Sequence, residues 1–192
     1  GAAKISALQV VLAHPKCRGS VPIRIIVALL EAAPYLPSQK HLYTGNYPLH
    51  AVFYNAFFSA SKRKVIAELI IRAYPPSLTL RNNDGRTALH TNCSQHCNFS
   101  PIVALLKSAP PTARMVDNNG DLPLHLACRS QKSPLKSIKV LFDAYPEGIY
   151  LKNHWGMTPI DVAKLCALPI SKVKVRLEFL QNLERLARSA KG

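Results

Sequence analysis

The feature that most constrains this chain is a short frame that returns four times. Its fullest form is Asn118-Asn119-Gly120-Asp121-Leu122-Pro123-Leu124-His125-Leu126-Ala127-Cys128. Gly45-Asn46-Tyr47-Pro48-Leu49-His50, Gly85-Arg86-Thr87-Ala88-Leu89-His90 and Gly156-Met157-Thr158-Pro159-Ile160-Asp161 share its register, and the glycines stand 40, 35 and 36 residues apart. Glycine takes up positive φ at no steric cost, and proline suits the first helical position because the N–H it lacks would have no partner there. Each frame therefore reads as a tight turn feeding a short helix. A degenerate fifth copy, Ile5-Ser6-Ala7-Leu8-Gln9, lies upstream with Lys4 in the glycine slot. Self-similarity at this period is the mark of a solenoid or array.

Each short helix is expected to be followed by a longer amphipathic one. Val21 to Ala33 carries Ile23, Ile26, Val27, Leu29 and Leu30 at stripe spacing; Lys62 to Ala73 carries Val65, Ile66, Leu69 and Ile70. Ile102 to Ser108 uses Ile102, Val103, Leu105 and Leu106, and Leu135 to Ala144 uses Leu135, Ile138, Leu141 and Phe142. Pro34, Pro75, Pro110 and Pro146 then stop them, since proline cannot continue a helix and biases its predecessor away from helical angles. Segments such as Glu147 to His154 read as extended connectors. The loop from Ala56 to Ser61 reads as the source of the 40-residue spacing. The last long helix, Ser171 to Ala190, has Val173, Leu177, Leu180, Leu183 and Ala187 on one face and a polar opposite face, as a terminal cap needs. No comparable cap is visible at Gly1, so the chain is expected to be a piece of a longer one.

The frame G-x-T-P-L-H-x-A, matched best by Thr158-Pro159 and by Leu124-His125-Leu126-Ala127, resembles the ankyrin repeat, whose period is about 33 residues. Tyr47 and Leu122 depart from it at the threonine, Ala88 at the proline and Asp161 at the histidine. The resemblance implies an all-α, ankyrin-type α-solenoid of five units, at 1–40, 41–80, 81–115, 116–151 and 152–192. It implies that the histidines at 50, 90 and 125 bond back to backbone and to a threonine where one exists. Thr87 and Thr158 can serve as N-caps; Tyr47 and Leu122 cannot. It also implies a protein-binding scaffold without chemistry of its own, meeting its partner through turn tips and the inner-helix face. By register the tips are Tyr43, Thr44 and Asn46; Asn83, Asp84 and Arg86; Asn118, Asn119 and Asp121; His154, Trp155 and Met157. Tyr54, Asn55, Ser94, Gln95, Arg129 and Ser130 are the inner-helix contributions.

Composition narrows the alternatives. With 25 Lys and Arg against ten Asp and Glu, the net charge is +15. Lys62-Arg63-Lys64, Lys132/Lys136/Lys139 and Lys172/Lys174/Arg176 concentrate it on the outer helices. A second function class is therefore an adaptor whose basic convex face meets nucleic acid, an anionic membrane or an acidic protein. No nucleophile–base pair, paired acids or phosphate loop appears, so no enzyme activity or cofactor is expected. His90, Cys93, His96 and Cys97 have a zinc-like look, but His90 and Cys93 already belong to the frame, and structural zinc needs four converging ligands. No metal is expected. Cys93 and Cys128 stand three residues after a frame histidine, as small buried apolar groups. An odd five cysteines reads as a reducing compartment, cytoplasmic or nuclear. Apolar runs are broken by Gln9, Arg24 and Glu31, so no transmembrane segment is expected. The array is expected to be monomeric.

Two residues break the pattern. Asn92 occupies the slot held by Val52, Ala127 and Ala163, so replacing it with alanine should stabilise the array. Trp155, the only tryptophan, precedes Gly156 where the other copies have Thr44, Asp84 and Asn119. Either it is a binding hot spot or it folds back over the last helix.

Overall fold

The computed structural model describes residues 7–13, 22–165 and 170–189. Among these, ten α-helices form five pairs. The inner helices are α1 (Ala7–Ala13), α3 (Pro48–Tyr54), α5 (Ala88–Gln95), α7 (Pro123–Arg129) and α9 (Pro159–Lys164). The outer helices are α2 (Ile23–Ala32), α4 (Ala60–Ala73), α6 (Phe99–Ser108), α8 (Leu135–Ala144) and α10 (Ile170–Ser189). Each inner helix packs on the next inner helix and each outer on the next outer, so the pairs stack in chain order. Neither Lys4, Ile5 and Ser6 nor the whole stretch from His14 to Val21 lies within the described residues.

The pairs follow from local chemistry. Proline opens α3, α7 and α9 at the first helical positions. Helices α3 and α7 are apolar nearly all round because each is enclosed by two inner neighbours and an outer partner. From Pro48 to Phe53 and from Pro123 to Cys128 every residue is buried. The outer helices bury one stripe: Ile26 and Leu30, Ile66 and Ile70, Ile102 and Leu105, Ile138 and Leu141. Ile23, Val65 and Val103, placed on those stripes by spacing, are instead exposed. They lie at the stripe margin, beyond the width that the neighbouring helix covers.

Every outer helix from α2 to α8 ends one residue before the cap that precedes its proline, as at Ala73-Tyr74-Pro75. The proline does more than stop it. Pro75–Leu78, Pro110–Arg114 and Pro146–Tyr150 each form a 3₁₀ turn, so the connector after α8 is helical over its first half and extended only beyond. The 40-residue spacing also has another origin than the loop. Helix α4 has 14 residues where α8 has 10, and this extra turn accounts for the difference between spacings of 40 and 36. Ser59 sets its start, accepting the Lys62 N–H at 3.2 Å.

At the far end, α10 packs on α8 and α9, with Leu180, Leu183 and Ala187 buried. Arg176, assigned by charge to the wet face, is only 5% exposed. Its guanidinium donates to the carbonyls of Cys128, Ser130 and Ser133 at 3.0–3.1 Å. The Cys128 carbonyl is one that the last turn of α7 leaves without a helical partner, and Ser130 and Ser133 belong to the cap and loop that follow. Arg63 of α4 does the same for α3, donating to the Asn55 carbonyl at 2.7 Å. Two cations of the expected basic face are therefore interior fasteners.

Candidate partner-binding surface

The turns that precede α3, α5, α7 and α9 lie in one row. Gly45, Gly85, Gly120 and Gly156 have φ of 66–74°, the left-handed region that favours glycine. A residue three positions earlier shapes each of the last three turns. Asn82 Oδ1 accepts the N–H groups of Asp84 and Arg86 at 3.0 Å. Asp117 Oδ1 takes those of Asn119 and Asp121 at 2.9 and 3.0 Å, and Asn153 Oδ1 those of Trp155 and Met157 at 3.1 Å. The first turn is one residue longer, and there His41 Nδ1 accepts the Thr44 N–H at 3.3 Å. Asn82, Asp117 and Asn153 escaped the sequence reading, although a recurring Asn or Asp three residues before glycine was visible in it.

Successive tips are hydrogen-bonded to one another. Asn83 donates its main-chain N–H to the Thr44 carbonyl at 3.4 Å, Asn118 to Asp84 at 2.9 Å and His154 to Asn119 at 2.9 Å. The amides of Asn83 and Asn118 reinforce this, donating to the carbonyls of Tyr43 and Asn83 at 3.1 and 2.9 Å. The row thus has a fixed main chain and projecting side chains. Tyr43 is 76% exposed and Trp155 57%. Thr44, Asn83, Asp84, Asn118 and His154 are exposed as well, while Asn46, Arg86, Asn119 and Met157 are half-buried.

Three assigned residues lie elsewhere. Asp121 is fully buried: Oδ1 accepts the Asn153 amide at 2.8 Å and Oδ2 pairs with Arg129 at 2.9 Å. It holds the tip rather than presenting itself. Asn55 is buried at the opposite end of α3, donating to the Leu12 carbonyl at 2.9 Å. Ser130 lies at that end too, at the C-cap of α7. On the inner face, Tyr54, Gln95 and Arg129 are exposed and Ser94 is half-buried. Tyr54 borders a cavity of about 140 Å³ with Gln9, His41, Thr44, Asn46 and Ala51. The Arg129 guanidinium stands 5.8 Å from the centre of the Trp155 ring. Trp155 thus leans toward α7.

The frame histidines stitch each turn to the next. Nδ1 of His50, His90 and His125 accepts the main-chain N–H of Tyr47, Thr87 and Leu122 at 3.1–3.3 Å. Nε2 faces the carbonyls of Arg86, Asp121 and Met157 at 2.8, 3.2 and 3.1 Å. Gln9 performs the same bridge in the degenerate first copy, donating to the Asn46 carbonyl at 3.0 Å. Burial lowers His50 and His90 from 6.5 to about 4, and lowers His125 too. Thr158 Oγ1 caps α9 by accepting the Asp161 N–H at 3.3 Å, whereas the Thr87 hydroxyl is taken by His90 Nδ1 at 2.8 Å. Asp161 bonds back to Thr158 and to Lys164 and makes no bridge onward.

The two histidines of the zinc-like cluster are each engaged away from its thiols, while Cys93 and Cys97 are hydrogen-bonded to one another. His90 is held as above, and His96 Nε2 accepts from Arg63 at 2.9 Å. Partial burial, with the charges of Arg63 and Lys132, lowers His96 to about 4. Cys93, Cys97 and Cys128 are buried free thiols; Cys17 and Cys166 lie outside the described residues. Among the described residues no group of three His, Cys, Asp or Glu is arranged to hold a metal ion.

Asn92 is fully buried, and its amide donates to the Asn98 carbonyl at a long 3.4 Å. Its Oδ1 is among the buried polar atoms without a partner in the described residues. An unsatisfied buried carbonyl costs about 1–3 kcal/mol. We expect Asn92→Ala to raise stability by about 1 kcal/mol, a gain of roughly 2–4 °C in melting temperature for a chain of this size. A fall of that size would show the amide to be properly satisfied.

A row of bonded glycine turns, short inner helices opened by proline, and a histidine bridging each turn to the next now stand together. A family model described as ankyrin repeats, in three copies, matches residues 56–154, just over half of the chain. The chain belongs to the ankyrin repeat family. Ankyrin repeats are in general protein–protein interaction modules and in general non-enzymatic. Among curated proteins, none matches this chain. No helix among the described residues is long and apolar enough to cross a membrane.

Proposed function

We propose that this ankyrin repeat protein is one array over residues 1–192, a scaffold without catalysis that binds another protein through its turn tips and inner-helix face. The observation that carries this reading is the pairing of Trp155 with Arg129. Trp155 is 57% exposed, an unusual state for a tryptophan in a settled fold. Its neighbour Arg129 is anchored by Asp121, which Asn153 holds in turn, and Asn153 also fixes the backbone of the Trp155 turn. Aromatic and arginine side chains dominate binding energy at interfaces, and a pair ordered beforehand loses less freedom on association. Tyr43 gives the opposite end of the tip row a second aromatic anchor. Capture with the wild-type chain and with Trp155→Ala, followed by titration of the retained protein, tests the proposal. The variant should lose about 2 kcal/mol of affinity, close to thirty-fold, with an unchanged melting temperature. Intact affinity with a melting temperature several degrees lower would make Trp155 a structural residue and sink the hot spot.

A further inference from the structure

The opposite end of the array, where inner helices stop and outer helices start, has a distinct composition. Residues 55–67, 95–108, 130–142, 162–165 and 170–177 lie toward that end, and they hold eleven of the 25 Lys and Arg but none of the ten Asp and Glu. Hydrogen bonds join these segments into one continuous edge. Asn55 reaches the Leu12 carbonyl, Arg63 spans from Asn55 to His96, Ser137 donates to the Cys97 carbonyl at 2.9 Å, and Arg176 holds Ser130 and Ser133. Three of these cations, Lys64, Lys139 and Lys164, pair with acids that lie just beyond the segments, at Glu68, Asp143 and Asp161. Seven of the ten carboxylates are paired, either in the tips or further along the outer helices at Glu68, Asp143 and Glu184. No outer helix carries an acid in its first turn, where its dipole would favour one. Lys132, Lys136 and Lys174 are exposed there and Lys62 is half-exposed.

Large apolar groups protrude on the same edge. Phe57 is 55% exposed, and Leu165, at the C-cap of α9, is 74% exposed. Phe58 and Phe99 lie beneath Lys62 and Lys136, whose ammonium groups are 5.0 and 4.9 Å from the ring centres. Their faces are thus covered by lysine rather than offered for stacking. Four outer helices, α4, α6, α8 and α10, at 8–10 Å spacing make this edge roughly 25–30 Å long. Exposed lysines along such a length, with apolar tips among them, suit a broad anionic surface that has an apolar layer beneath its charge. Single-stranded nucleic acid would instead be met by open aromatic faces on which bases stack.

We infer that this acid-free edge is a peripheral membrane-binding face that docks on an anionic lipid bilayer. Lys62, Lys132, Lys136 and Lys174 meet the headgroups, while Phe57 and Leu165 dip toward the acyl boundary. This moves the contact from the convex face, which the charge pattern alone suggested, to the end of the stack opposite the partner-binding tips. A protein partner and a bilayer can be held at once.

Co-sedimentation with phosphatidylcholine vesicles, with and without phosphatidylserine, tests the inference. The full chain should sediment with the anionic vesicles only, and salt should weaken it. Lys132→Glu with Lys136→Glu should lower binding about thirty-fold or more. Lys132→Gln with Lys136→Gln should lower it less, and serves as the readout if the reversed variant melts early. Phe57→Ser and Leu165→Ser should each weaken the binding that survives at higher salt. Reversal of the tip-side cations, Lys40→Glu with Arg81→Glu, should cost far less. The inference is overturned by absence of vesicle binding, by equal binding to neutral vesicles, or by tip-side reversal costing as much as edge reversal. It is overturned equally by tighter binding to a single-stranded oligonucleotide that ignores Phe57→Ser and Leu165→Ser.

Discussion

Acidification from pH 6.5 toward about 4 should unfold the array progressively, through the same histidines that stitch it. In His50, His90 and His125, Nδ1 accepts a main-chain N–H and Nε2 faces a carbonyl of the next turn. The neutral ring uses both nitrogens, so a second proton must displace the bond at Nδ1 and leave a charge in a buried site. The folded pKa is depressed, which means the unfolded chain binds more protons between the two values. Stability from these groups is complete above 6.5 and is lost as pH falls toward about 4. His50 and His90 each contribute a slope of at most about 1.4 kcal/mol per pH unit, and on the order of 3 kcal/mol over the window, and the lowered His125 adds in the same direction. Two such groups approach the whole stability of an ordinary domain, about 5–15 kcal/mol. Asp161, lowered to about 2 by its bonds to Thr158 and Lys164, acts in a lower window, below 3.8, and its exposure keeps that contribution small. Denaturant midpoints across this range should fall steadily, and His90→Gln should flatten the slope, because glutamine at position 9 already makes the bridge without titrating. Midpoints that stay level down to pH 5 would show the histidines to be accessible to protons in the folded state.

The repeat architecture was legible because it rests on residues whose backbone preferences are local. A glycine at positive φ, a proline at the start of a helix and a proline after its end each constrain their own segment. Four copies in register turn weak signals into a fold. Gln9 was legible only in retrospect, since nothing but its position says that an amide does the work of an imidazole. What stayed hidden depends on where long side chains turn. Arg63 and Arg176 look, by charge, like Lys62 and Lys174, yet they fold inward because inner-helix ends leave carbonyls that need donors. Asp121 lies next to Gly120 in sequence but is drawn under the tip by Arg129 and Asn153. A charge count cannot separate a cation that meets solvent from one that fastens two helices.

Gly85→Ala should be among the most damaging single-atom-group additions in the chain, and Gly156→Ala, at the same register, should be mild. Both residues have φ of +73°, so both substitutions force alanine into the left-handed region at about 1–2 kcal/mol. Their surroundings differ. A Cβ on Gly85 would lie 2.8 Å from the main-chain N of Asn118 and 2.9 Å from its Cγ, closer than real Cβ contacts come. Backbone cannot rotate aside as a side chain can. The tips must part, which stretches the Asn118 N–H bond to Asp84 at 2.9 Å and the Asn118 amide bond to Asn83 at 2.9 Å. Adding about 1 kcal/mol for each of the two bonds to the backbone strain gives a loss of about 3–4 kcal/mol for Gly85→Ala. At Gly156 no heavy atom lies within 4 Å of the added Cβ, because no further described turn stacks on that tip. Only the backbone term remains there. The difference of about 2 kcal/mol between the two variants, read from denaturant midpoints, measures the strength of the bond between one tip and the next. Equal losses at the two glycines would mean that the tips are not coupled, and that the row presented to a partner is a set of separate turns rather than one rigid surface.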